Sequence, residues 1–396
     1  MGLVLQTLIS SDHVAPLPMR PTSFFNAHLI SPGVDRPDST VVVDDGLITA
    51  ISEKSEGDFD VEGNYLVPGF IDIHTHGAGG ASAMDGTEEA VRTMSETKLK
   101  EGVTSFCPTT WTESEENLVR AMSGIAQYMK RQDFARTPFV HVEGPFISPD
   151  FIGAQNPDYV RPPDILEIDR LNEIAKVGIV SLAVEMSGGV EFVREATDRG
   201  IATSLAHTGA TYAEFLEARK AGLKHLTHFC NQMTKLHHRE IGIVGAGLLD
   251  DEIRLEMICD KIHLSPEMIE LTFKHKPVHQ VMLITDSISA SWFPDGEYEE
   301  GGQTVLVQDG VCRLQSGALA GSTLRYDRGF KHVAEISGKP LSELIQTTSW
   351  NQAQSLGLEK VGKIEPGFAA DLVILDRESL SPLATIVGGE VKYEVG

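Results

Sequence analysis

Short apolar runs alternate with amphipathic stretches along most of the chain. The runs are rich in β-branched and aromatic residues, and most are followed by apolar residues at helical spacing. The predicted strands are residues 70–76, 103–109, 139–145, 179–185, 201–207, 223–230, 255–263 and 281–287. The clearest predicted helices are residues 87–101, 113–131, 212–221 and 266–275.

Eight strands with intervening helices predict an α/β fold in which a (β/α)8 barrel of the TIM type closes on itself. An open, doubly wound sheet is the alternative. The first predicted strand is not followed by a turn of the GxGxxG type, which such sheets use to bind dinucleotides. The barrel is therefore the favoured architecture.

The two ends of the chain have a different, strand-rich pattern. The N-terminal part contains a hairpin signal at Asp45-Gly46, and the last part consists of short strands and turns. Each end alone would bury too little apolar surface to fold. We therefore expect both to pair in one small β-sandwich, with its first part and a loose extension in 1–66, the barrel in 67–362 and the second part in 363–396.

A second hairpin is predicted after the eighth strand, around Asp309-Gly310. The acidic segment before it, around Tyr298, is interpreted as a solvent-exposed loop. Trp292 and Phe293 either cover a pocket or pack against this hairpin.

Charge and cysteine content narrow the choice of partners and compartment. A formal charge of −24 over 396 residues argues against nucleic acid and anionic membranes as partners. The longest apolar runs are shorter than the roughly 18–20 residues of a membrane span. Four dispersed cysteines without CxxC spacing favour a reducing compartment, and hence the cytoplasm. One basic segment, 235–239, could still bind an anionic ligand.

Candidate metal ligands begin at the end of the first predicted strand, in His74-Thr75-His76. Because side chains alternate along a strand, the two imidazoles point the same way, with Asp72 deeper on that face. They suit a divalent metal that prefers nitrogen ligands, although an ordinary hydrogen-bonded pair is the alternative. Other predicted strand ends carry the same residue types, namely Glu143, His207, His228, His263 and Asp286.

The carboxyl ends of barrel strands share one rim, so these side chains are expected to meet. Histidine nitrogens with a carboxylate that bridges two cations would lower the pKa of a bound water. Asp286 could take a proton from that water and return it to a leaving nitrogen, while His263 contacts the substrate. The set predicts metal-assisted hydrolysis, most naturally of an amide.

At this point the chain resembles the N-acetylglucosamine-6-phosphate deacetylase family of the amidohydrolase superfamily. The similarity extends from about Tyr65 to Asp376. It implies a metal-dependent barrel with a β-sandwich built from both chain ends, and removal of acetate from an amino-sugar phosphate. The motifs are PGFIDIHTHG, VTSFCPTT, HVEGPF, GAQNPDYVR, AHTGATY, THFCNQM, LHHREIGIVGAGL, DKIHLSP, LITDSISA, PDGEYEEGG, GALAGSTL and GKIEPGFAADLVILD.

The resemblance also assigns roles to the rim residues. It implies that Glu143, His207 and His228 hold the principal metal, with Asp286 as general base and acid at the same centre. His74 and His76 match members that bind a second ion; other members lack this pair. One or two divalent ions per subunit are therefore expected, with zinc favoured and iron, manganese or cobalt as alternatives.

Substrate contacts are implied in the same way. Arg239 matches a phosphate contact that reaches the neighbouring subunit's site, so a homodimer is implied. The family usually has histidine at Gln155 and alanine at Gln232, and we interpret both departures as a change in which sugar or acyl group fits. The other expected contacts are Ala154, Asn231, His263, Leu319, Ala320 and Gly321.

Three functions stay open at this point. N-acetylglucosamine 6-phosphate is the leading substrate, and the product would be glucosamine 6-phosphate. The two departures leave room for another amide, such as N-acetylgalactosamine 6-phosphate, an unphosphorylated amino sugar or a cyclic amide. A non-catalytic protein that binds a sugar phosphate is the third, although such a protein would not need Asp286 as a base.

Overall fold

A sheet of eight parallel strands forms the centre of the molecule, of which a computed structural model describes residues 19–53 and 56–395. Neighbouring strands pair in chain order, and a bridge between Thr75 and Ser287 joins the sheet's two edges. The barrel prediction is confirmed. The strands are Phe70–Thr75, Val103–Thr110, Val140–Glu143, Val177–Leu182, Ala202–Leu205, His225–Leu226, Arg254–Ile258 and Val281–Ile284.

Helices surround this barrel, and the four clearest predictions agree with the structure to within two residues at each end. Each of these four follows a Ser or Thr whose side chain accepts the backbone N–H of the third residue on. The α-helices are Glu88–Leu99, Glu115–Met129, Ile165–Ile174, Gly189–Asp198, Tyr212–Ala221, Gly242–Leu249, Pro266–His275, Tyr326–Ser337, Leu341–Leu344 and Trp350–Leu356.

Short elements fill the connections between strands and helices. Two short strands, Gly77–Ala78 and Ala81–Ser82, pair with each other directly after the first barrel strand. The 3-10 helices are Ala83–Asp85, Pro149–Phe151, Pro157–Tyr159, Val278–Gln280 and Ile345–Thr348. Within the described ranges, no helix is both long enough and apolar enough to cross a membrane.

The two chain ends pair in a second sheet of eight strands, as expected. Leu372–Leu375 from the C-terminal part lies antiparallel to Tyr65–Pro68 from the N-terminal part. The sheet has its own apolar core, which contains Phe24, Leu66 and Ile374. Its remaining strands are Ser23–Ser31, Val34–Asp44, Leu47–Ser52, Phe59–Asp60, Pro382–Val387 and Glu390–Glu394. Most of the predicted N-terminal extension, residues 1–18, lies outside the described residues.

A three-stranded antiparallel sheet follows the eighth barrel strand: Gly296–Glu300, Gln303–Gln308 and Val311–Leu314. The predicted hairpin turn at Asp309-Gly310 is confirmed. The prediction of an exposed acidic loop before it was wrong, because that segment forms the first of the three strands. Alternation along this strand exposes Glu297 and Glu299 but buries Glu300, whose carboxylate accepts the Ser289 N–H at 2.7 Å.

A fully buried ion cluster lies where the barrel closes. Lys98 Nζ donates to Asp72 Oδ2 at 3.1 Å and to Glu101 Oε2 at 3.2 Å. It also donates to the hydroxyls of Thr285 and Ser287, at 3.2 and 3.0 Å. Burial alone would lower the pKa of Lys98, but the two carboxylates outweigh that effect and raise it, so the amine stays charged. One side chain therefore links the first helix to the first and eighth strands.

Replacement of this lysine tests its contribution to stability. Lys98→Met should lower the free energy of unfolding by about 3–5 kcal/mol, because two buried carboxylates lose their counter-charge. Chemical denaturation measures this change. Lys220→Met is the control: it removes an exposed pair with Glu217 and should alter stability by less than about 1 kcal/mol. Equal effects of the two substitutions would contradict the assigned role of Lys98.

Candidate active site

Four histidines and two carboxylates meet at one mouth of the barrel, and Glu143 lies at their centre. Glu143 Oε1 is 3.1 Å from His228 Nε2 and 3.6 Å from His207 Nε2. Its other oxygen, Oε2, is 3.2 Å from His76 Nε2. Oε1 is also 3.6 Å from His74 Nε2, so this one buried carboxylate contacts all four imidazoles, with Oε2 on the side of His76.

The second group contains the two histidines of the first strand. His74 Nε2 and His76 Nε2 are 3.3 Å apart, and Asp286 Oδ1 is 3.4 and 3.3 Å from them. Asp72, expected deeper on the same face of the strand, is not part of this group. Its carboxylate instead accepts from Lys98 and from the Thr285 hydroxyl, at 3.1 and 2.6 Å.

Backbone carbonyls orient three of the imidazole rings. His76 Nδ1 is 3.2 Å from the Thr109 carbonyl oxygen, and His207 Nδ1 is 2.8 Å from that of Phe151. His228 Nδ1 is 3.2 Å from the carbonyl oxygen of Asn231. Because a carbonyl oxygen only accepts, each Nδ1 carries a proton, and Nε2 is the nitrogen that an ion would take as its ligand.

Several site residues lie beyond the strand ends, where the prediction had placed them at the last strand positions. His207, His228 and Asp286 each follow the end of a strand by two residues, and His263 lies five residues past Ile258. The first three have positive φ values of 46°, 33° and 51°. Left-handed backbone ends the strand ladder there, and residues other than glycine adopt it mainly where the surroundings impose it.

His263 is held by a neighbouring carboxylate. Its Nδ1 donates to Asp260 Oδ2 at 2.7 Å, which leaves Nε2 as the ring nitrogen free for a ligand. Burial alone would raise the pKa of Asp260, but the hydrogen bonds and charge of His263 outweigh it and lower that pKa. Asp260 was not among the predicted site residues, although its position three residues before His263 could have indicated it.

A cavity opens over the two ligand groups. Arg239 is exposed and does not line it, and Ala320 lies in an apolar cluster with Trp111 and Ile288. Among the described residues that line the cavity there is neither lysine nor arginine. The other expected substrate contacts do line it, together with Trp111: Ala154, Gln155, Asn231, Gln232, His263, Leu319 and Gly321.

Sequence reasoning missed a polar layer beneath the ligands. The ring of His141 lies 4.6 Å from that of His74, and Glu256 Oε2 lies 3.9 Å from His74 Nδ1. His141 Nδ1 donates to the Ile73 carbonyl oxygen, so it supports the strand that carries His74. His141 precedes Glu143 by two residues on one strand, which is the same alternation signal that identified His74 and His76.

Burial and neighbouring charges set the protonation of the histidines and carboxylates at the barrel mouth. Burial lowers the pKa of His74 well below its ordinary value. Burial acts in the same direction on His76, but hydrogen bonds to Asp286 and Glu143 outweigh it and raise the pKa to about 10. Burial would raise the pKa of both carboxylates, yet the surrounding imidazoles hold that of Glu143 well below its usual range and lower that of Asp286. Both carboxylates are therefore ionised near neutral pH.

The donor set fits divalent cations. Two ligands bound to one zinc ion at about 2.0–2.2 Å in tetrahedral geometry lie roughly 3.3–3.6 Å apart. Five distances within the two groups, Glu143/His207/His228 and His74/His76/Asp286, lie close to this range, at 3.1–3.6 Å, and the ligand atoms of each group lie within 4.8 Å of one another. Imidazole nitrogen and carboxylate oxygen are also the donors that such ions prefer. The residues present therefore fit two ions, with Glu143 able to bridge them.

Residues 65–395 match the amidohydrolase family, which covers most of the chain. The chain therefore belongs to the amidohydrolase family. The family is metal-dependent, in agreement with the ligand groups described above.

Relatives narrow this class further. An N-acetylglucosamine-6-phosphate deacetylase of Lysinibacillus sphaericus is 36% identical over 88% of this chain and 92% of its own length. An N-acetylgalactosamine-6-phosphate deacetylase of Escherichia coli O157:H7 is 35% identical, over 86% and 91% respectively. The crystal structure of the Thermotoga maritima N-acetylglucosamine-6-phosphate deacetylase superimposes with a TM-score of 0.85 at 35% identity, covering 94% of this chain and all of that one. The resemblance inferred from the motifs is confirmed.

Ion binding should release protons, because the metal-free site holds protons where the ions need lone pairs. The pKa of about 10 for His76 means that this ring is protonated at pH 7. We expect about one proton to be released when an ion binds there, and an apparent affinity that rises about tenfold per pH unit from pH 7 to 9. Calorimetric titration in buffers of different ionisation enthalpy measures both quantities.

The exposed His279 offers a control for this titration. His279→Gln should leave the proton release unchanged, whereas His76→Asn should lower it by about one proton. Ion binding by the unmodified protein without proton release would contradict the assigned protonation of the cluster.

Proposed function

We propose that this protein removes the acetyl group from N-acetylglucosamine 6-phosphate, giving glucosamine 6-phosphate and acetate. The observation that carries the proposal is the position of Asp286, an ionised carboxylate at the same mouth as two sets of metal ligands. The deacetylase relatives supply the substrate class. Zinc is the proposed ion, since a site of imidazoles and carboxylates at these spacings suits it.

The side chains divide the work of amide hydrolysis. Bound divalent ions would polarise the acetamide carbonyl and lower the pKa of an attacking water. Asp286, ionised because of its lowered pKa, takes the proton from that water and returns it to the amine as the C–N bond breaks. His263, held by Asp260, presents Nε2 to the substrate carbonyl or a sugar hydroxyl.

A second substrate is favoured by one comparison. The E. coli O157:H7 relative is named for N-acetylgalactosamine 6-phosphate, at nearly the same identity as the relatives named for the glucosamine sugar. The two sugars differ only at the C4 hydroxyl, so a few rim contacts decide between them. Both phosphates therefore belong in the same assay.

Acetate release from the metal-loaded protein tests the proposal directly. The assay compares N-acetylglucosamine 6-phosphate, N-acetylgalactosamine 6-phosphate and unphosphorylated N-acetylglucosamine. Turnover of the first supports the proposal. Faster turnover of the second would make N-acetylgalactosamine 6-phosphate the preferred substrate. The absence of turnover on all three would overturn it.

Asp286→Asn tests the proton-transfer role. The amide cannot accept a proton from water, so kcat should fall by about 10²–10⁴-fold. The ion held by Glu143, His207 and His228 should remain, as elemental analysis would check. Full activity of this variant would show that another group is the base.

We further propose that the phosphate is bound by a second copy of the chain. The cavity's described lining has no cationic side chain, and Arg239 lies exposed outside it. Leu236, three residues before Arg239, and Ile262, next to His263 of the cavity, are exposed apolar side chains. An Arg239 guanidinium from a neighbouring subunit would supply the missing charge and form paired hydrogen bonds to phosphate oxygens.

Complementation between two impaired variants tests this arrangement. Arg239→Ala should raise KM for the phosphorylated sugar by about 10–100-fold and leave the unphosphorylated sugar unaffected. When Arg239→Ala and Asp286→Asn chains are co-expressed, mixed dimers contain one intact site. About a quarter of the unmodified activity should then return at substrate concentrations far below the variant's KM. Activity no higher than that of the separate variants would place Arg239 in its own subunit's site.

The proposed compartment is the cytoplasm. All four cysteines are free, and three of them are buried. Burial raises the pKa of Cys107 and Cys259 well above the ordinary value, so these thiols stay protonated and unreactive. A chain that keeps its thiols reduced suits a reducing compartment.

A further inference from the structure

Gln155 lines the cavity, yet both ends of its side-chain amide are already engaged. Its Oε1 accepts the backbone N–H of Thr112 at 2.7 Å. Its Nε2 donates to Glu143 Oε2 at 2.6 Å, a short distance for a hydrogen bond to a carboxylate. The side chain is 3% exposed, so this contact is shielded from water.

The oxygen that receives this hydrogen bond is the one next to His76. Oε1 of Glu143 lies 3.1 Å from His228 and 3.6 Å from both His207 and His74, whereas Oε2 lies 3.2 Å from His76. A free carboxylate can rotate and place both oxygens on one ion. The Gln155 amide, which donates to Oε2, opposes that rotation. It occupies one lone pair of Oε2 and leaves the other for an ion.

The same segment also supports His76. The Trp111 ring stacks on the His76 imidazole, with centroids 4.2 Å apart and planes 23° apart. Thr112, the next residue, fixes the amide of Gln155 through its backbone N–H. One short segment thus orients the Glu143 oxygen and the imidazole that face each other across the second ion position.

We propose that Gln155 is a positioning residue for the second metal ion: its amide holds Glu143 in the bridging orientation, so that Oε2 completes the group formed by His74, His76 and Asp286. The inference rests on the proposed two-ion hydrolase site. It gives the departure from the family's usual histidine a role at the metal centre rather than at the sugar.

Gln303 provides a matched control. Its Nε2 donates to the Ala154 carbonyl oxygen at 2.6 Å, so it holds the same loop as Gln155. None of its hydrogen bonds in the described structure reaches a proposed metal ligand. Gln303→Met therefore removes an amide donor to this loop without removing the contact to Glu143.

The experiment is a metal titration of the full chain, stripped of ions, with Mn²⁺ and with Zn²⁺. The unmodified protein should bind two ions, and Gln155→Met should raise the dissociation constant of the second by about 10–100-fold. The first ion, held by His207 and His228, should change by less than about threefold and serves as an internal reference. In electron paramagnetic resonance, Mn²⁺-loaded Gln155→Met should lose the signal of an exchange-coupled pair, while Gln303→Met keeps it.

Gln155→Asn covers the case in which the methionine variant fails to fold. It retains an amide but is one methylene shorter, so it cannot reach Thr112 N and Glu143 Oε2 together, and the affinity for the second ion should fall by a similar factor. Three results would overturn the inference: an equal loss of affinity for both ions, an unchanged affinity for the second ion, or binding of a single ion by the unmodified protein. Because ion binding is measured without substrate, a failed acetate assay would leave this result standing.

Discussion

The structure is organised around one buried carboxylate. Glu143 is 2% exposed and lies within 3.6 Å of the Nε2 atoms of four histidines on three different barrel segments. A charge buried this deeply is stable only when opposite charges and hydrogen bonds surround it. Without ions, protons on the imidazoles fill that role, which is why burial fails to lower the pKa of His76 and His228. With ions bound as proposed, the same imidazoles would become ligands. The same arrangement of side chains can therefore stabilise the charge of Glu143 with or without bound ions.

The histidines around Glu143 come from distant segments, so the backbone that carries them must be held in place. Lys98 supplies part of this support, because its amine bonds to Thr285 and Ser287, the two neighbours of Asp286 in the chain. The Asp286 backbone N–H in turn donates to the His74 carbonyl oxygen at 2.9 Å. The buried ion cluster and the second metal position thus share the closure between the first and eighth strands. That common location explains how Asp286 can keep a positive φ without losing its orientation.

The sequence predicted what depends on local periodicity. Alternation placed His74 and His76 together, and N-capping residues marked four helices closely. The strand ends were overestimated because apolar residues such as Phe229 and Ile262 continue beyond them, so the pattern does not show where a left-handed residue ends the ladder. Partners distant in sequence were also missed: the pattern placed Asp72 on the face of His74 and His76 but did not indicate its counter-charge, Lys98, which lies on a helix 26 residues later. The sequence separation from Gln155 to Glu143 is small, but the sequence does not show that the loop folds so that the Gln155 amide donates to Oε2 of Glu143.

This assignment of Gln155 changes where substrate selectivity can reside. An amide whose oxygen and nitrogen are bonded to Thr112 and Glu143 is held in one orientation and cannot turn toward a sugar hydroxyl without losing those bonds. The remaining departure, Gln232, lies exposed at the rim, where its side chain is free to approach a ligand. Under the proposed mechanism, chemistry and selectivity are separated in space: the ions and Asp286 would act on the amide, which both sugars share, and rim residues would distinguish the C4 hydroxyl. On this argument a change of substrate between the two amino sugars requires no change at the metal ligands.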